Sequence, residues 1–271
     1  MTSQNFRTAE TPFISGGFGH IYMAVSSTGV PCIAKVLEEE RVFKHEVDMM
    51  FALPVHKNII RLIHADPESK TLYIMYGGQS LYDIVEHHHT SMHVPPCMDT
   101  IWPQVFAAVQ ALHEGDIVHR DIKLENIVVD VHGVVRLIDF GLGKSSCIDA
   151  CTQVCGSALY VAPEVYDRRE TYYHGKYVDL WAIGIAMFAS FCNFFPWREA
   201  RMGDARFKRF HFMGGGSVVQ SIFSLHPGMR PPHSMTIWIP VINALIQSNP
   251  LLRCLSYPTL VQSTMHTPHI A

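Results

Sequence analysis

Three polar side chains that phosphoryl transfer would require lie close together in this sequence. Asp121, Lys123 and Asn126 supply a carboxylate, an ammonium and a carboxamide just ahead of an apolar run. Such groups can accept the proton of an attacking hydroxyl, neutralise a transferring phosphoryl group and bind a metal ion. Asp139, followed by Phe140 and Gly141, adds a second carboxylate further along the chain.

Asn126 and Asp139 are expected on opposite arms of one hairpin. Apolar runs at 127–129 and 134–138 flank the turn residues 130–133, a pattern typical of two strands joined by a short loop. The hairpin would bring both oxygen-bearing side chains to a shared ion. Because Mg²⁺ prefers a few hard oxygen ligands together with substrate phosphates, we predict that these two residues bind Mg²⁺.

Composition restricts the kind of protein. The chain has 271 residues, 48% of them hydrophobic, and a formal net charge of −3, which excludes a disordered chain and argues against nucleic acid as a partner. Its seven cysteines are scattered and odd in number, and residues 1–9 do not form a basic-then-apolar leader. We therefore expect an intracellular protein, in the cytoplasm or nucleus.

One uncharged stretch approaches the length of a membrane span. No residue from 180 to 197 is charged, whereas a transmembrane helix needs about 17–25 apolar residues. Asp179 and Arg198 bound the stretch closely, and Pro196 interrupts it. We predict a helix buried in a protein core and no membrane association.

Hydrophobic patterning divides the chain into two parts. The first third predicts an antiparallel sheet with one helix, and a glycine-containing linker at 77–80 separates it from a mainly helical remainder. The predicted strands are 21–25, 32–36, 59–63 and 72–75, and the predicted helices are 38–50, 101–113 and 180–197. This is an α+β chain with a small and a large part.

Residues 119–126 and 139–141, with Ala162-Pro163-Glu164, resemble the signature blocks of the eukaryotic-type protein kinase family. The likeness extends from about Phe13 to Arg253. It implies a bilobal kinase fold in a single domain, 1–271, with an N-lobe of about 1–77 and a C-lobe of about 78–271. The chain begins near the glycine loop and ends soon after Arg253, so we expect no regulatory domain. A compact kinase of this kind resembles those carried by large DNA viruses.

The resemblance implies ATP as the phosphoryl donor and assigns a nucleotide site. Residues 15–21 resemble the glycine loop over the phosphates, although Ile14 occupies the position of its first glycine. Lys35 would align the nucleotide and pair with Glu46, unless Glu46 is merely a surface charge. The nucleotide-binding residues implied are Ile14, Gly16, Gly19, Ile21, Ile33, Lys35, Glu46, Met75, Tyr76, Gly78 and Val128.

The adenine end departs from the usual family pattern. Met75 falls at the gatekeeper position, and the backbone of Tyr76 and Gly78 would form a short hinge that reads the base. Ile33 replaces the small alanine above adenine, with Ile21 and Val128 completing the apolar sandwich. A bulkier side chain there narrows the slot, so nucleotide affinity is in question.

The resemblance also assigns roles in catalysis. Asp121 would take the proton of the acceptor hydroxyl, and Lys123 would stabilise the transferring phosphoryl, while Asn126 and Asp139 hold Mg²⁺. Ser157 would clamp this base and lysine. Lys123 and residues 156–160 resemble those of serine/threonine-directed kinases, so we expect protein substrates with Ser or Thr acceptors and a monomeric enzyme.

Two structural pairs follow from the same resemblance. Asp179 would accept hydrogen bonds from the catalytic-loop backbone at His119 and Arg120. Arg253 would pair with Glu164, and breaking such a buried pair from one side costs on the order of 3–5 kcal/mol.

The activation segment would run from Asp139 to Glu164 and contains the hydroxyls Ser145, Ser146 and Thr152. Phosphorylation of Thr152, received by Arg120, is predicted to order the segment and raise activity. Cys147, Cys151 and Cys155 recur every four residues there, but a metal or redox role lacks a fourth ligand.

Two other functions remain open from sequence. A non-catalytic pseudokinase would fit Ile14, Ile33, Tyr76 and the short interval between Lys35 and Glu46. A small-molecule kinase is disfavoured because residues 156–164 keep the peptide-binding form.

Overall fold

A computed structural model describes residues 6–16, 19–90, 98–145, 151–167, 172–213 and 217–253 of the chain. The strands are β1 (Phe6–Thr8), β2 (Ile14–Gly16), β3 (Gly19–Ser26), β4 (Pro31–Leu37), β5 (Leu62–Asp66), β6 (Thr71–Met75), β7 (Gln79–Ser80), β8 (Ile117–Val118), β9 (Ile127–Val129), β10 (Val135–Leu137) and β11 (Lys144–Ser145). The helices are α1 (Glu40–Ala52), α2 (Leu81–Thr90), α3 (Met98–Glu114), α4 (Pro163–Tyr166), α5 (Gly175–Cys192), α6 (Ala205–Phe212), α7 (Val218–Ser224) and α8 (Ile239–Leu245), with 3-10 turns at Leu124–Asn126, His233–Trp238 and Pro250–Leu252.

The N-terminal part is an antiparallel sheet in the order β1-β3-β4-β6-β5, with β2 paired to β3. Gly29, at φ +83°, turns the β3–β4 hairpin, a left-handed conformation that glycine adopts without steric cost. Along β4, Cys32 and Ala34 are buried on one face while Ile33 and Lys35 point to the other. The strand alternation therefore directs Lys35 towards the cleft.

Helix α1 packs against this sheet through one face. Phe43, Glu46, Met49 and Met50 are its buried residues, and their spacing places them on one side of a helix. Three of them are apolar, whereas Glu46 is a carboxylate that is only 1% exposed. A buried carboxylate at this position requires a cationic partner.

The C-terminal part is built around α5, which is buried on nearly all sides. The helix ends at Cys192 because Asn193 takes a left-handed conformation, φ +53°, and donates its N–H to Ala189. The prediction of a helix over 180–197 was therefore wrong at both ends, since α5 begins at Gly175. Within the described ranges, no helix combines the length and apolar character that crossing a bilayer requires.

Two further predictions are corrected by pairing across the two parts. Ile59 forms a parallel bridge with Leu137 of β10, so the run 59–63 enters the N-terminal sheet only from Leu62 onwards. The stretch 77–80, predicted as a linker, ends in β7, where Gln79 pairs with Val129 of β9. Both segments join the small sheet to the larger part.

Candidate active site

Asp179 on α5 holds the backbone of the loop that carries Asp121. The fully buried Asp179 carboxylate accepts hydrogen bonds from the backbone N–H groups of His119 (3.0 Å) and Arg120 (2.8 Å). Arg120 has φ +64°, which is costly for a residue with a side chain. The two hydrogen bonds to Asp179 compensate for this strain and fix the loop.

Both oxygens of Asp121 are engaged. Oδ1 accepts hydrogen bonds from the N–H (3.0 Å) and hydroxyl (2.9 Å) of Ser157. Oδ2 lies 2.8 Å from Lys123 Nζ and 3.1 Å from Asn126 Nδ2. Lys123 also donates to Ser157 Oγ at 3.0 Å. The carboxylate is therefore held in one orientation by a closed network with an adjacent ammonium.

Lys35 joins the two parts of the molecule. Its Nζ lies 2.6 Å from Glu46 Oε1 on α1 and 2.8 Å from Asp139 Oδ1 beyond β10. Burial lowers the pKa of Lys35, but the two carboxylates outweigh it and hold that pKa above its ordinary value. For the Glu46 carboxyl, burial raises the pKa and outweighs the opposing effect of the Lys35 charge. Glu46 is thus the buried partner of Lys35 and not a surface charge.

Asn126 and Asp139 approach each other at the base of the β9–β10 hairpin, where the Ile138 N–H donates to the Asn126 carbonyl at 3.0 Å. The Asn126 amide nitrogen donates to the Asp121 carbonyl at 2.9 Å, which leaves the amide oxygen for another partner. The Asp139 side chain is 43% exposed. Burial raises the pKa of this carboxyl, but the positive charge of Lys35 outweighs burial and holds the pKa below its usual value. This donor set fits a divalent cation that also binds phosphate oxygens.

Several of these residues line a cavity of about 610 Å³, although Asn126 lies outside its lining; the size suits a small-molecule ligand. Nine sequence-predicted residues line it: Ile14, Gly16, Gly19, Ile21, Lys35, Glu46, Asp121, Lys123 and Asp139. The wall also contains residues that were not predicted to line it: Glu39, Arg41, Val42, His45, Arg120, Gly141, Leu142 and Gln153. Arg41 lies one helical turn before His45, and Val42 lies one turn before Glu46. This helical spacing was the sequence signal that could have identified these three residues.

Comparison with known proteins agrees with this geometry. The protein kinase domain family matches residues 14–253. The chain is 25% identical to an Aurora kinase of Schizosaccharomyces pombe over 248 residues, covering 88% of this chain and 65% of that protein. It is also 29% identical to the Calcium/calmodulin-dependent protein kinase type 1 of Caenorhabditis briggsae, covering 68% of this chain and 54% of the relative. A third relative, Serine/threonine-protein kinase SIK2 of Gallus gallus, is 30% identical over 64% of this chain and 22% of its own length.

The chain belongs to the protein kinase family. The predicted bilobal α+β kinase fold is confirmed, with the curled antiparallel sheet as N-lobe and the helical part as C-lobe. The chain spans only 65% or less of the length of these three relatives.

The hinge of this kinase is shaped by two glycines. A Cβ on Gly77 would lie 2.4 Å from Val128 Cγ2, and one on Gly78 would lie 2.1 Å from the Val129 carbonyl oxygen. Gly78 also has φ +109°, so no other residue fits there without moving the backbone. The hinge therefore crosses directly over β9, which brings Val128 beneath it.

Of the six residues predicted at the adenine end, Ile21 lines the 610 Å³ cavity and the other five lie outside its lining. Met75 ends β6 and donates its N–H to the Arg61 carbonyl, while Ile33 on β4 pairs with Ile74. The nucleotide-binding roles of Ile33, Met75, Tyr76, Gly78 and Val128 stay predictions.

The predicted pair at the base of the kinase C-lobe is confirmed. Arg253 donates through Nη2 to Glu164 Oε2 at 2.9 Å and through Nη1 to Glu164 Oε1. The guanidinium is 3% exposed and lies 4.8 Å from the Trp181 ring centroid. This pair ties the end of the activation segment to α5.

Part of the kinase activation segment lies in the described residues. Arg120 is 8% exposed and donates from Nε to the Leu142 carbonyl at 2.7 Å. Cys151 exchanges backbone hydrogen bonds with Tyr173, and the neighbouring Thr152 is exposed. Activation through Thr152 stays a prediction.

The remaining activation-segment predictions are only partly covered. Ser146 and Cys147 lie outside the described residues. In the described part of the chain, no group of three His, Cys, Asp or Glu side chains is placed to hold a metal.

His113, which sequence reasoning missed, lies 2.9 Å from Asp179 through Nε2.

Proposed function

We propose that this chain is an active serine/threonine protein kinase that transfers the γ-phosphoryl group of ATP to hydroxyls of protein substrates. The observation that carries the proposal is that Lys35, Asp121 and Asp139 line one cavity, with Asn126 hydrogen-bonded to Asp121. Every group with a direct chemical role in phosphoryl transfer is present there. This supports an active enzyme over a pseudokinase.

The geometry supports a division of labour. The acceptor hydroxyl oxygen attacks the γ-phosphorus, the bond from that phosphorus to the β-bridging oxygen breaks, and ADP leaves. Asp121, oriented by Ser157, receives the hydroxyl proton, and Lys123 beside it offsets charge on the transferring group. Lys35 aligns the nucleotide phosphates.

Asn126 and Asp139 would hold the metal, and Mg²⁺ fits their oxygen donors. When bound, Mg²⁺ neutralises charge on the nucleotide phosphates. The chain's contribution is to present the Asn126 oxygen and the Asp139 carboxylate on either side of one hairpin.

The wider context of the enzyme is also a proposal. It is a single-domain monomer that acts on proteins, without a nucleic-acid or membrane partner. It works inside the cell, which the absence of disulfides at Cys32, Cys155 and Cys192 supports, because disulfides are rare in reducing compartments.

The test is a transfer assay with the purified full chain, γ-labelled ATP, Mg²⁺ and a basic protein as acceptor. Wild type is expected to label serine and threonine, and Asp121→Asn to lose activity by about 100-fold or more. A melting-temperature shift with Mg·ATP is the control, because the Asp121→Asn variant should keep it. Wild type that shows this shift without transferring label would be a pseudokinase, and labelling of metabolites instead of protein would indicate a small-molecule kinase.

A further inference from the structure

Basic side chains are concentrated in one short part of the C-lobe. Five of the 21 lysines and arginines lie between residues 198 and 209, where the acidic residues are Glu199 and Asp204. The chain as a whole has a net charge of −3. This local excess of positive charge therefore opposes the overall balance.

Helix α6 displays these charges outwards. Phe207 and Phe210 are buried against Trp197, with ring centroids 5.2 and 4.9 Å away. Anchoring by these two rings leaves Lys208 and Arg209 on the opposite side of the helix, and these two and Arg206 are exposed to solvent. The helix orientation is thus fixed by packing.

The acidic neighbours do not neutralise this face. Asp204 caps α6 by accepting the N–H groups of Arg206 and Phe207, and Glu199 pairs with Arg201 at 3.3 Å. In the described portion of the chain, no ion pair is formed by Arg206, Lys208 or Arg209. Three adjacent cations are available to a partner.

Apolar side chains adjoin the cations. Phe212, at the last position of α6, is 69% exposed, and Met213 is 37% exposed. Exposed apolar side chains do not improve solubility, and where they are grouped they more often mark contact sites. We call Arg206, Lys208, Arg209, Phe212 and Met213 the α6 surface.

The loop that precedes the α6 surface contacts the helix at the end of the activation segment. The Arg201 guanidinium, in the loop before α6, lies 4.9 Å from the Tyr166 ring centroid. Tyr166 is the last residue of α4, which begins at Pro163, one residue before the activation segment ends at Glu164. A protein held at α6 would therefore contact the lobe that carries the catalytic loop.

We propose that the α6 surface is a docking site for an acidic segment of the protein substrates, rich in Asp and Glu and bearing an apolar side chain. The cations complement its carboxylates, and Phe212 with Met213 receives the apolar group. A protein partner is favoured over a nucleic acid because of these two apolar residues and the chain's net negative charge. The inference rests on the proposed kinase function.

Binding of a fluorescent peptide made of Asp, Glu and one Leu to the full chain, without ATP, tests the docking step alone. Arg206→Glu/Lys208→Glu should weaken binding by about fivefold or more, since several surface ion pairs are lost together. Acidic residues early in α6 favour the helix, so the variant should fold, and its melting temperature checks this. Lys57→Glu/Arg230→Glu, on exposed sites elsewhere, is the control with the same change in net charge.

Equal weakening in both double variants, or no binding by wild type, would overturn the proposal. The proposal would also be overturned if wild type binds a single-stranded RNA or phosphatidylserine vesicles more tightly than the peptide and only the α6 variant loses that binding. Weakening of peptide binding by salt is expected, since exposed charges are screened.

A kinetic measurement separates docking from catalysis. Wild type should show a KM about fivefold lower for an acceptor peptide extended by the acidic tract than for the same peptide alone, with kcat unchanged. The α6 variant should lose this difference and keep its rate on the short peptide. If wild type has equal KM values for the extended and the short peptide, only the docking proposal is contradicted. If wild type phosphorylates neither peptide, the proposed function itself is contradicted.

Discussion

The ammonium of Lys35 lies 2.8 Å from Asp139 Oδ1, although 104 positions separate the two residues in the chain. The contact crosses from the N-lobe sheet to the loop after β10. Glu46 holds the other side of the same ammonium at 2.6 Å. One cation therefore sets the distance between helix α1 and the Asp139 carboxylate.

Replacing this cation tests the arrangement. Lys35→Met should reduce phosphoryl transfer by about 100-fold or more, because positioning and charge neutralisation of the phosphates are lost together. Steady-state kinetics and a melting curve check this, with Lys44→Met as the control because Lys44 forms an exposed pair with Glu40 on α1. Full activity in Lys35→Met would contradict the assignment.

Ser157 is expected to act by positioning Asp121. Ser157→Ala removes the hydroxyl that bridges Lys123 and Asp121, and should lower kcat by about tenfold with KM for ATP unchanged. Ser157→Thr keeps a hydroxyl and should restore most of the rate. If alanine and threonine behave alike, the bridge has no catalytic role.

The buried pair of Arg253 and Glu164 should matter for stability. Arg253→Met leaves the Glu164 carboxylate without its cation and should reduce the free energy of unfolding by about 3–5 kcal/mol. Denaturant unfolding measures this, and Lys44→Met should change it by less than about 1 kcal/mol, as for an exposed pair. Similar losses in the two variants would show that burial of the pair is unimportant.

The β9–β10 turn provides a pH prediction. Burial opposes the shift, but the Arg136 guanidinium and the N–H of Val134 hold the pKa of Asp130 below its ordinary value. Asp130→Asn should therefore cost about 1–3 kcal/mol of stability at pH 7.

The pH dependence of this cost follows from the lowered pKa. The stabilisation is complete above the unfolded value of about 3.9 and disappears as pH falls through the folded pKa. Denaturant unfolding of wild type and Asp130→Asn between pH 7 and pH 3 should show the difference shrinking. A constant difference over this range would exclude the charged carboxylate as its source.

Thr152 is exposed beside the segment that Tyr173 holds. If phosphorylation there adds to the contacts of Arg120, Thr152→Ala should lower turnover relative to the phosphorylated enzyme. Mass spectrometry establishes the phosphorylation state before each assay. Undiminished turnover in Thr152→Ala would mean that the segment is ordered without phosphate.

Much of the C-lobe chemistry could be predicted because its residues are close in sequence. Asp121, Lys123 and Asn126 share one short loop, and a two-strand hairpin carries Asp139 back to them. Short-range spacing of this kind limits the possible geometry. The β3–β4 hairpin was predictable for the same reason.

Other features depended on contacts that no local pattern reveals. Ile59 carries the apolar signal of an N-lobe strand, yet it pairs with Leu137 of the C-lobe. Pro196 in the uncharged run indicated that a helix would end nearby, but the stop at Cys192 depends on the left-handed conformation that Asn193 adopts. Only the structure decided both outcomes.

The order and types of the polar residues by themselves indicated membership of the protein kinase family, since those residues are identifiable without coordinates. Only the tertiary structure decided that Glu46 is the partner of Lys35 and that α6 turns its cations outwards. The physical reason is burial: a carboxylate removed from water must meet a cation, and aromatic anchors fix which face of a helix remains exposed.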